Sequence, residues 1–264
     1  MKFQLKALTA AAILAASIPA QAAIDLAGSG NSSFVLTVRD TIANVSASFD
    51  LGKNYLDFNQ VATAGAVSTV TDLGTIFSWD LAGNADYSAA WSSFLGAATL
   101  PNIQYAITAA DNLGAGAGSR GYITTLAATG GNLTTSAMTN ALGNFDTYIG
   151  TQPHVAANGS LFSNTADNAK TIYNNNRVGG TQTGPTTLGV IGSSLGVIQV
   201  TGSASAFTNS TPTVFGNGAK FTLASNGGLL YSTNSIAPIP EADTWAMMLL
   251  GLGFMGFVAR RKQA

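Results

Sequence analysis

The chain has 264 residues, a formal net charge of −1 and charged side chains at only 9% of positions, so it offers no basic face for nucleic acid. Cysteine is absent, which excludes disulfide staples, thiolate metal sites and cysteine nucleophiles. Gly, Ala, Ser, Thr and Asn dominate while Glu, Lys, Gln and Arg are scarce, a balance that favours strands and turns over helices.

The first segment is an address. Met1-Lys2 and Lys6 form a small cationic region, Ala7 to Ile18 is apolar, and Ala20-Gln21-Ala22 is an A-x-A cleavage site. This pattern predicts a secretory signal peptide over residues 1–22, cut after Ala22, so that the mature chain starts near Ala23. About residues 23–237 remain, long enough for one sizeable domain or two small ones, and residues 23–234 are expected to form a mainly β exported domain. From Ala23 to Ala237 there are ten Asp and no Glu against six Lys and Arg.

Ser32 to Val38 alternates Phe34, Leu36 and Val38 against Val35 and Thr37, which predicts a strand ending at Arg39-Asp40. Asn44 to Leu51 follows as its hairpin partner. Strands are also expected at Val67 to Thr71 and at Gly74 to Asp80, giving an antiparallel sheet at the start of the domain. The period then changes: Tyr87, Trp91, Phe94 and Leu95 fall at helical spacing behind Asp86, a candidate cap. Asn102 to Ala109 returns to a strand, with Ile103, Tyr105 and Ile107 on one face, and Tyr122 to Ala127 can pair beside it. Met138, Leu142, Phe145 and Ile149 predict a second helix, which Gly150 and Pro153 would end. Residues 152–184 are polar and Asn-rich, a surface excursion with a weak helical turn around Ala166 to Tyr173. Strands resume at Gly196 to Thr201, Thr213 to Phe215 and Ala219 to Ala224, and Asn226-Gly227-Gly228 turns the last of these into Leu229 to Thr233. The expected fold is mainly β, sandwich-like or α+β, with one to three short helices.

Within this body several motifs compete with plainer explanations. Gly192-Ser193-Ser194-Leu195-Gly196 matches the G-x-S-x-G nucleophile elbow, but the single histidine, His154, precedes Ser194, whereas the hydrolase order places it after. Gly116-Ala117-Gly118-Ser119-Arg120-Gly121 matches G-x-G-x-x-G, yet Tyr122-Ile123-Thr124-Thr125 behind it is β-prone and not the helix that would hold a pyrophosphate. Asp50, Asn54, Asp57 and Asn59 are the densest oxygen-ligand grouping for calcium, without the D-x-D-x-D-G spacing, so no cofactor is expected and solvated loop acids are the favoured reading. A pair of aspartates could serve glycoside hydrolysis, but no spacing selects one. Trp79, Trp91, Tyr87 and Tyr105 suit a core better than a sugar-stacking platform.

Residues 235–264 form a linker and a second address. Ser235 to Ile239 leads to Pro240-Glu241-Ala242, then an uncharged run from Trp245 to Ala259, then Arg260-Arg261-Lys262. As a helix, residues 245–259 would measure about 22 Å, against a hydrocarbon core of about 30 Å, so this expected C-terminal transmembrane helix is a marginal span. The basic tail at 260–262 favours the cytoplasmic side and Trp245 anchors the opposite interface, which puts the body outside.

This tripartite layout resembles the PEP-CTERM sorting signal of Gram-negative bacteria, with Pro240 and Glu241 matching and Ala242 standing where the motif has its second proline. The resemblance implies recognition by an exosortase, a membrane cysteine protease, after passage through the secretion machinery. It further implies a transient stay in the inner membrane and release to the cell surface of a bacterium that makes exopolysaccharide. The stretches Phe34 to Asp40, Phe49 to Gly52 and Lys220 to Ala224 are also similar to exported proteins bearing that signal, a likeness that brings no activity with it. The expected function is a non-catalytic surface or biofilm-matrix protein, with a polysaccharide-binding module and a secreted hydrolase as alternatives.

Overall fold

The structure is a computed structural model that describes residues 24–60, 69–114, 116–127, 133–151, 159–165, 177–178, 181–182 and 188–234. Both addresses lie outside these residues. In chain order the strands are β1 (Ser33–Asp40), β2 (Val45–Asn54), β3 (Ile76–Asp80), β4 (Gln104–Asp111), β5 (Gly121–Leu126), β6 (Ser160–Ser163), β7 (Arg177–Val178), β8 (Thr181–Gln182), β9 (Gly189–Val190), β10 (Ser194–Thr201), β11 (Thr211–Val214), β12 (Lys220–Leu223) and β13 (Gly228–Ser232). The helices are α1 (Tyr55–Phe58), α2 (Ser88–Ala97) and α3 (Thr135–Thr151).

Nine strands pair in the order β3-β13-β12-β10-β5-β4-β1-β2-β6, with β11 joined to β10 and β9 to β4. Every pairing in this sheet is antiparallel. A flat sheet would hold β3 and β2, seven steps apart, at roughly 34 Å. Instead the Trp79 indole of β3 donates a 2.7 Å hydrogen bond to the Leu51 carbonyl of β2. The sheet is therefore curled into a half-barrel, and its two ends share one interior.

Strand alternation sorts residues between the two faces. Phe34, Leu36 and Val38 of β1, Tyr105, Ile107 and Ala109 of β4, and Phe221 and Leu223 of β12 line the concave core. Val35, Ala110, Tyr122, Ile198 and Val200 point the other way and meet the apolar stripe of α3, Met138, Leu142, Phe145 and Ile149. The sheet is thus apolar on both faces where α3 covers it. Over β3 and β13 the convex face is open, with Ile76 64% exposed and Leu230 40% exposed.

α1 plugs the half-barrel. Phe58 is 1% exposed, and its ring centroid lies 4.5 Å from Phe34, 5.3 Å from Tyr231, 5.8 Å from Phe77 and 6.5 Å from Phe221. One side chain from a four-residue helix thereby touches β1, β13, β3 and β12. The helix is framed by a capping box in which the Asn54 amide donates to the Asp57 carboxylate at 2.8 Å. α2 packs on β2 and β6, burying Trp91 and Phe94 beside Phe49.

Most strands and both long helices fall where the residue pattern places them, and four differences stand out. A single curled sheet takes the place of a sandwich-like pair. Thr69–Thr71 is a 3-10 turn and not part of a strand, because Val70 gives its carbonyl to the buried Tyr231 hydroxyl. β3 pairs with β13 instead of its sequence neighbours. Asp86 does not cap α2: the N-cap position is Tyr87, without a side-chain cap bond, while Asn84 accepts the Asp86 amide through its side chain and the Ser88 amide through its carbonyl. No helix among the described residues is long and apolar enough to cross a membrane; the run 245–259, Pro153 and the turn expected at 166–173 lie outside them.

Two consequences can be measured. Phe58→Ala should cost about 3–5 kcal/mol in urea unfolding, the range for removing a buried ring. The second concerns Asp40, which accepts the amides of Ile42, Ala43 and Thr99 at 2.8, 3.1 and 2.8 Å. Burial pushes the Asp40 pKa up, but the three amides outweigh it and the net position is below the ordinary carboxylate value. Its stabilisation is present above the unfolded pKa and lost as pH falls through the lowered folded pKa. Asp40→Ala should therefore cost about 1–3 kcal/mol at neutral pH, and the gap to the parent should close on acidification through that window.

Candidate functional site

A polar cluster sits inside the half-barrel. Along β10 the inward positions read Leu195, Val197, Gln199 and Thr201, so a carboxamide occupies a register position that its predecessors give to the core. Gln199 is 0% exposed. Its Nε2 donates to the Tyr55 hydroxyl at 2.9 Å and to the Asn59 side-chain oxygen, while its Oε1 accepts the Gln60 amide at 2.9 Å. The far wall is Gly121, where a Cβ would lie 2.7 Å from the Tyr55 hydroxyl and 2.7 Å from the Val200 carbonyl. Burial pushes the Tyr55 phenol up to about 12; the Gln199 bond opposes the rise and Asp111 adds to it. The phenol is thus a neutral hydrogen-bonding group at physiological pH. Every hydrogen-bonding atom of Gln199 has a partner, and the arrangement fastens α1 to the middle of the sheet.

The sequence motifs resolve into structural parts. Ser194 begins β10 directly after a turn, and its hydroxyl pairs with the Thr222 hydroxyl at 2.6 Å. A strand follows it, so the strand-turn-helix of a nucleophile elbow is not formed; His154 lies outside the described residues. Residues 116–120 lie in the connection between β4 and β5 and lead into a strand, with Gly118 N bonded to Gly202 O at 2.8 Å. No helix N-terminus is available there for a phosphate.

The oxygen-ligand grouping is divided among separate tasks. Asp57 closes the α1 cap, Asn59 holds Gln199, and Asn54 Nδ2 donates to Asp25 at 3.1 Å. Asp50 accepts the Ser33 hydroxyl at 2.9 Å and the Gly52 amide at 2.8 Å. Among the described residues no group of three or more His, Cys, Asp or Glu could hold a metal ion. Of the four aromatic candidates, Trp91, Tyr87 and Tyr105 are buried and Trp79 is partly buried against the same core.

The chemistry that the sequence marks most clearly is at the C-terminus. The family model of the PEP-CTERM protein-sorting motif matches residues 238–262. The chain carries a PEP-CTERM motif. The match takes in Pro240, Glu241, Ala242, Trp245, Arg260, Arg261 and Lys262, and the PEP-CTERM motif implies processing by an exosortase, with export and placement at the cell surface. No curated protein and no solved structure matches the chain. The sequence reading missed Gln199; the available signal was a carboxamide at an inward position of a Val/Ile-rich strand.

Gln199→Ala should leave the Tyr55 hydroxyl and the Gln60 amide without their partner and cost about 1–3 kcal/mol. Thermal or urea unfolding would report it, and an unchanged midpoint would show that water replaces the carboxamide without penalty.

Proposed function

We propose that the protein is a non-catalytic surface or extracellular-matrix component, exported under its N-terminal signal and sorted by exosortase in an exopolysaccharide-producing Gram-negative bacterium. The observation that carries this reading is the sorting motif at residues 238–262. Supporting it, the motifs that resemble catalytic devices have structural work in the body: Ser194 pairs across to β12, and residues 116–120 join two strands. The polysaccharide-binding alternative would need an exposed aromatic platform. Among the described residues Phe207, 91% exposed on the loop before β11, is the aromatic that could serve in one. A glycan array read with and without calcium separates the two, because a binding module would show saturable binding that Phe207→Ala abolishes.

In the sorting signal, Pro240 has no amide hydrogen and restrains Ile239 to an extended backbone, which suits capture of the segment by a membrane protease. Glu241 is the single glutamate in the chain and puts a carboxylate just above the apolar run. Glu241→Ala should trap uncut precursor in the inner membrane of a host with exosortase, while the body stays folded. Neutralising Arg260, Arg261 and Lys262 should instead disturb orientation or retention. Immunoblotting of membrane and released fractions checks both, and release of the Glu241→Ala protein at the parental rate would reduce the tail to a plain anchor.

A further inference from the structure

The convex face of β12, β13 and β3 carries a pattern that the core does not require. Phe221, Leu223, Leu229 and Tyr231 turn inward, so their neighbours along each strand turn outward. Strand pairing sets those outward residues in three rows. Lys220 lies opposite Ser232, which lies opposite Ile76. In the middle row Leu230 stands between Thr222 and Ser78. The last row runs from Ala224, whose amide bonds the Gly228 carbonyl at 2.8 Å, through Gly228 to Asp80. Lys220, Leu230, Ile76 and Asp80 are all exposed. Asn234, the last described residue, is fastened to Asn217 and Gly74 beyond the Lys220–Ile76 row, at the rim of the face and not across it.

The apolar side chains occupy one diagonal of this face and the charges hold the ends of the other. Ile76, Leu230 and Ala224 run corner to corner through the centre, while Lys220 and Asp80 take the two remaining corners. With about 4.8 Å between strands and about 6.8 Å per two residues, those corners are about 17 Å apart, too far to pair within one molecule. Asp80 is held in place, since its Oδ1 accepts the amides of Ala82 and Gly83 at 3.1 and 2.8 Å. Both bonds end on Oδ1, so the turn does not consume Oδ2.

A two-fold axis laid along the apolar diagonal superposes the pattern on itself. It sets Ile76 and Leu230 against the same residues of a second copy, and in projection it brings each Lys220 within about 3 Å of the partner's Asp80. The strands of the two copies then cross near 90°, the orthogonal way for sheets to stack face to face. An axis along the other diagonal would put lysine on lysine and aspartate on aspartate. An axis along or across the strands would seat each charge on Ile76 or Ala224. The charges therefore select one arrangement among the four.

We propose that this face is a self-association surface, on which a second copy of the chain docks about a two-fold axis through Leu230, with Lys220 of each copy paired to the partner's Asp80. The patch covers roughly 200 Å² of sheet, well under the ~800 Å² that each partner of a stable complex buries, so the contact is weak in dilute solution and grows with the density of copies. A surface crowded with copies would populate it, but the docking does not depend on the surface-protein reading.

The chain has no cysteine, so a single Leu230→Cys in the full chain, held in detergent micelles, reports the axis through a short bis-maleimide cross-linker. Covalent dimer should rise with protein concentration and exceed several-fold that formed by Ile42→Cys, a position 77% exposed on the turn between β1 and β2. Lys220→Glu sets carboxylate against carboxylate and should lower the Leu230→Cys dimer about tenfold. Asp80→Asn keeps the acceptor for the Ala82 and Gly83 amides and should lower it by a smaller factor. Equal cross-linking at the two cysteines, or a Leu230→Cys dimer indifferent to Lys220→Glu, would overturn the proposal. So would a Leu230→Cys that a monofunctional maleimide fails to label, because the occupant of the face would then be the chain's own C-terminal segment.

Discussion

The fold depends on bending one sheet until its ends meet. The Trp79 to Leu51 hydrogen bond marks where that happens, and the cost of bending is met by the aromatic side chains that the bend brings together. Phe77, Tyr231 and Phe221 sit opposite one another on β3, β13 and β12, and Phe58 joins them to Phe34 on β1, six steps from β3 in the sheet order and out of reach of one ring if the sheet were flat. Aromatic pairs add about 0.5–1.5 kcal/mol each beyond simple burial. With no cysteine for a disulfide, this cluster and the backbone ladder are what secures the curvature.

The polar groups inside follow from the same constraint. A half-barrel with a short internal helix must attach that helix to its walls, and an interior attachment has to satisfy every donor and acceptor that it buries. Gln199 does this for α1 from β10, and Tyr105 does the equivalent for the turn before β10, giving its hydroxyl to the Ser193 carbonyl at 2.7 Å. On the outer face Asp146 of α3 accepts the amides of Ala27 and Gly28 at 2.6 and 2.9 Å. That contact pins the N-terminal segment beneath the helix. Among the described residues Asp40, Asp50, Asp80, Asp111 and Asp146 all accept backbone amides, so these short acids act as backbone clasps.

What the sequence discloses about this fold is local. Alternation in Phe34 to Val38 and helical spacing in Met138 to Ile149 report burial directly, because each side chain's direction follows from its own backbone. Pairing between β3 and β13 is different: Ile76 and Ser232 are opposite each other, and no property of either stretch names the other. Val67 to Thr71 misleads because β-branched residues suit any extended segment, whereas its described part, residues 69–71, is a 3-10 turn whose Val70 carbonyl accepts the Tyr231 hydroxyl. β6 escapes notice since only Leu161 and Phe162 rise above a polar, Asn-rich background, and its place is set by the β2 edge it covers. The sorting signal was legible for the opposite reason. It is read by a membrane and a protease through composition and order, with no tertiary partner needed.

The way the body meets its tail follows from the topology. β13 is the last strand before the linker, and it lies inside the sheet, bonded to β12 on one side and β3 on the other. Its exit is fastened as well: Thr233 N bonds Thr75 O, Asn234 N bonds Asn217 O, and Asn234 O accepts the Gly74 amide, at 3.0, 2.8 and 2.9 Å. Tension applied through residues 235–264 therefore loads two ladders and a clasp before it reaches the aromatic core. An edge strand in the same position would peel away one hydrogen bond at a time. An internal last strand therefore protects the body against unravelling from its C-terminal side.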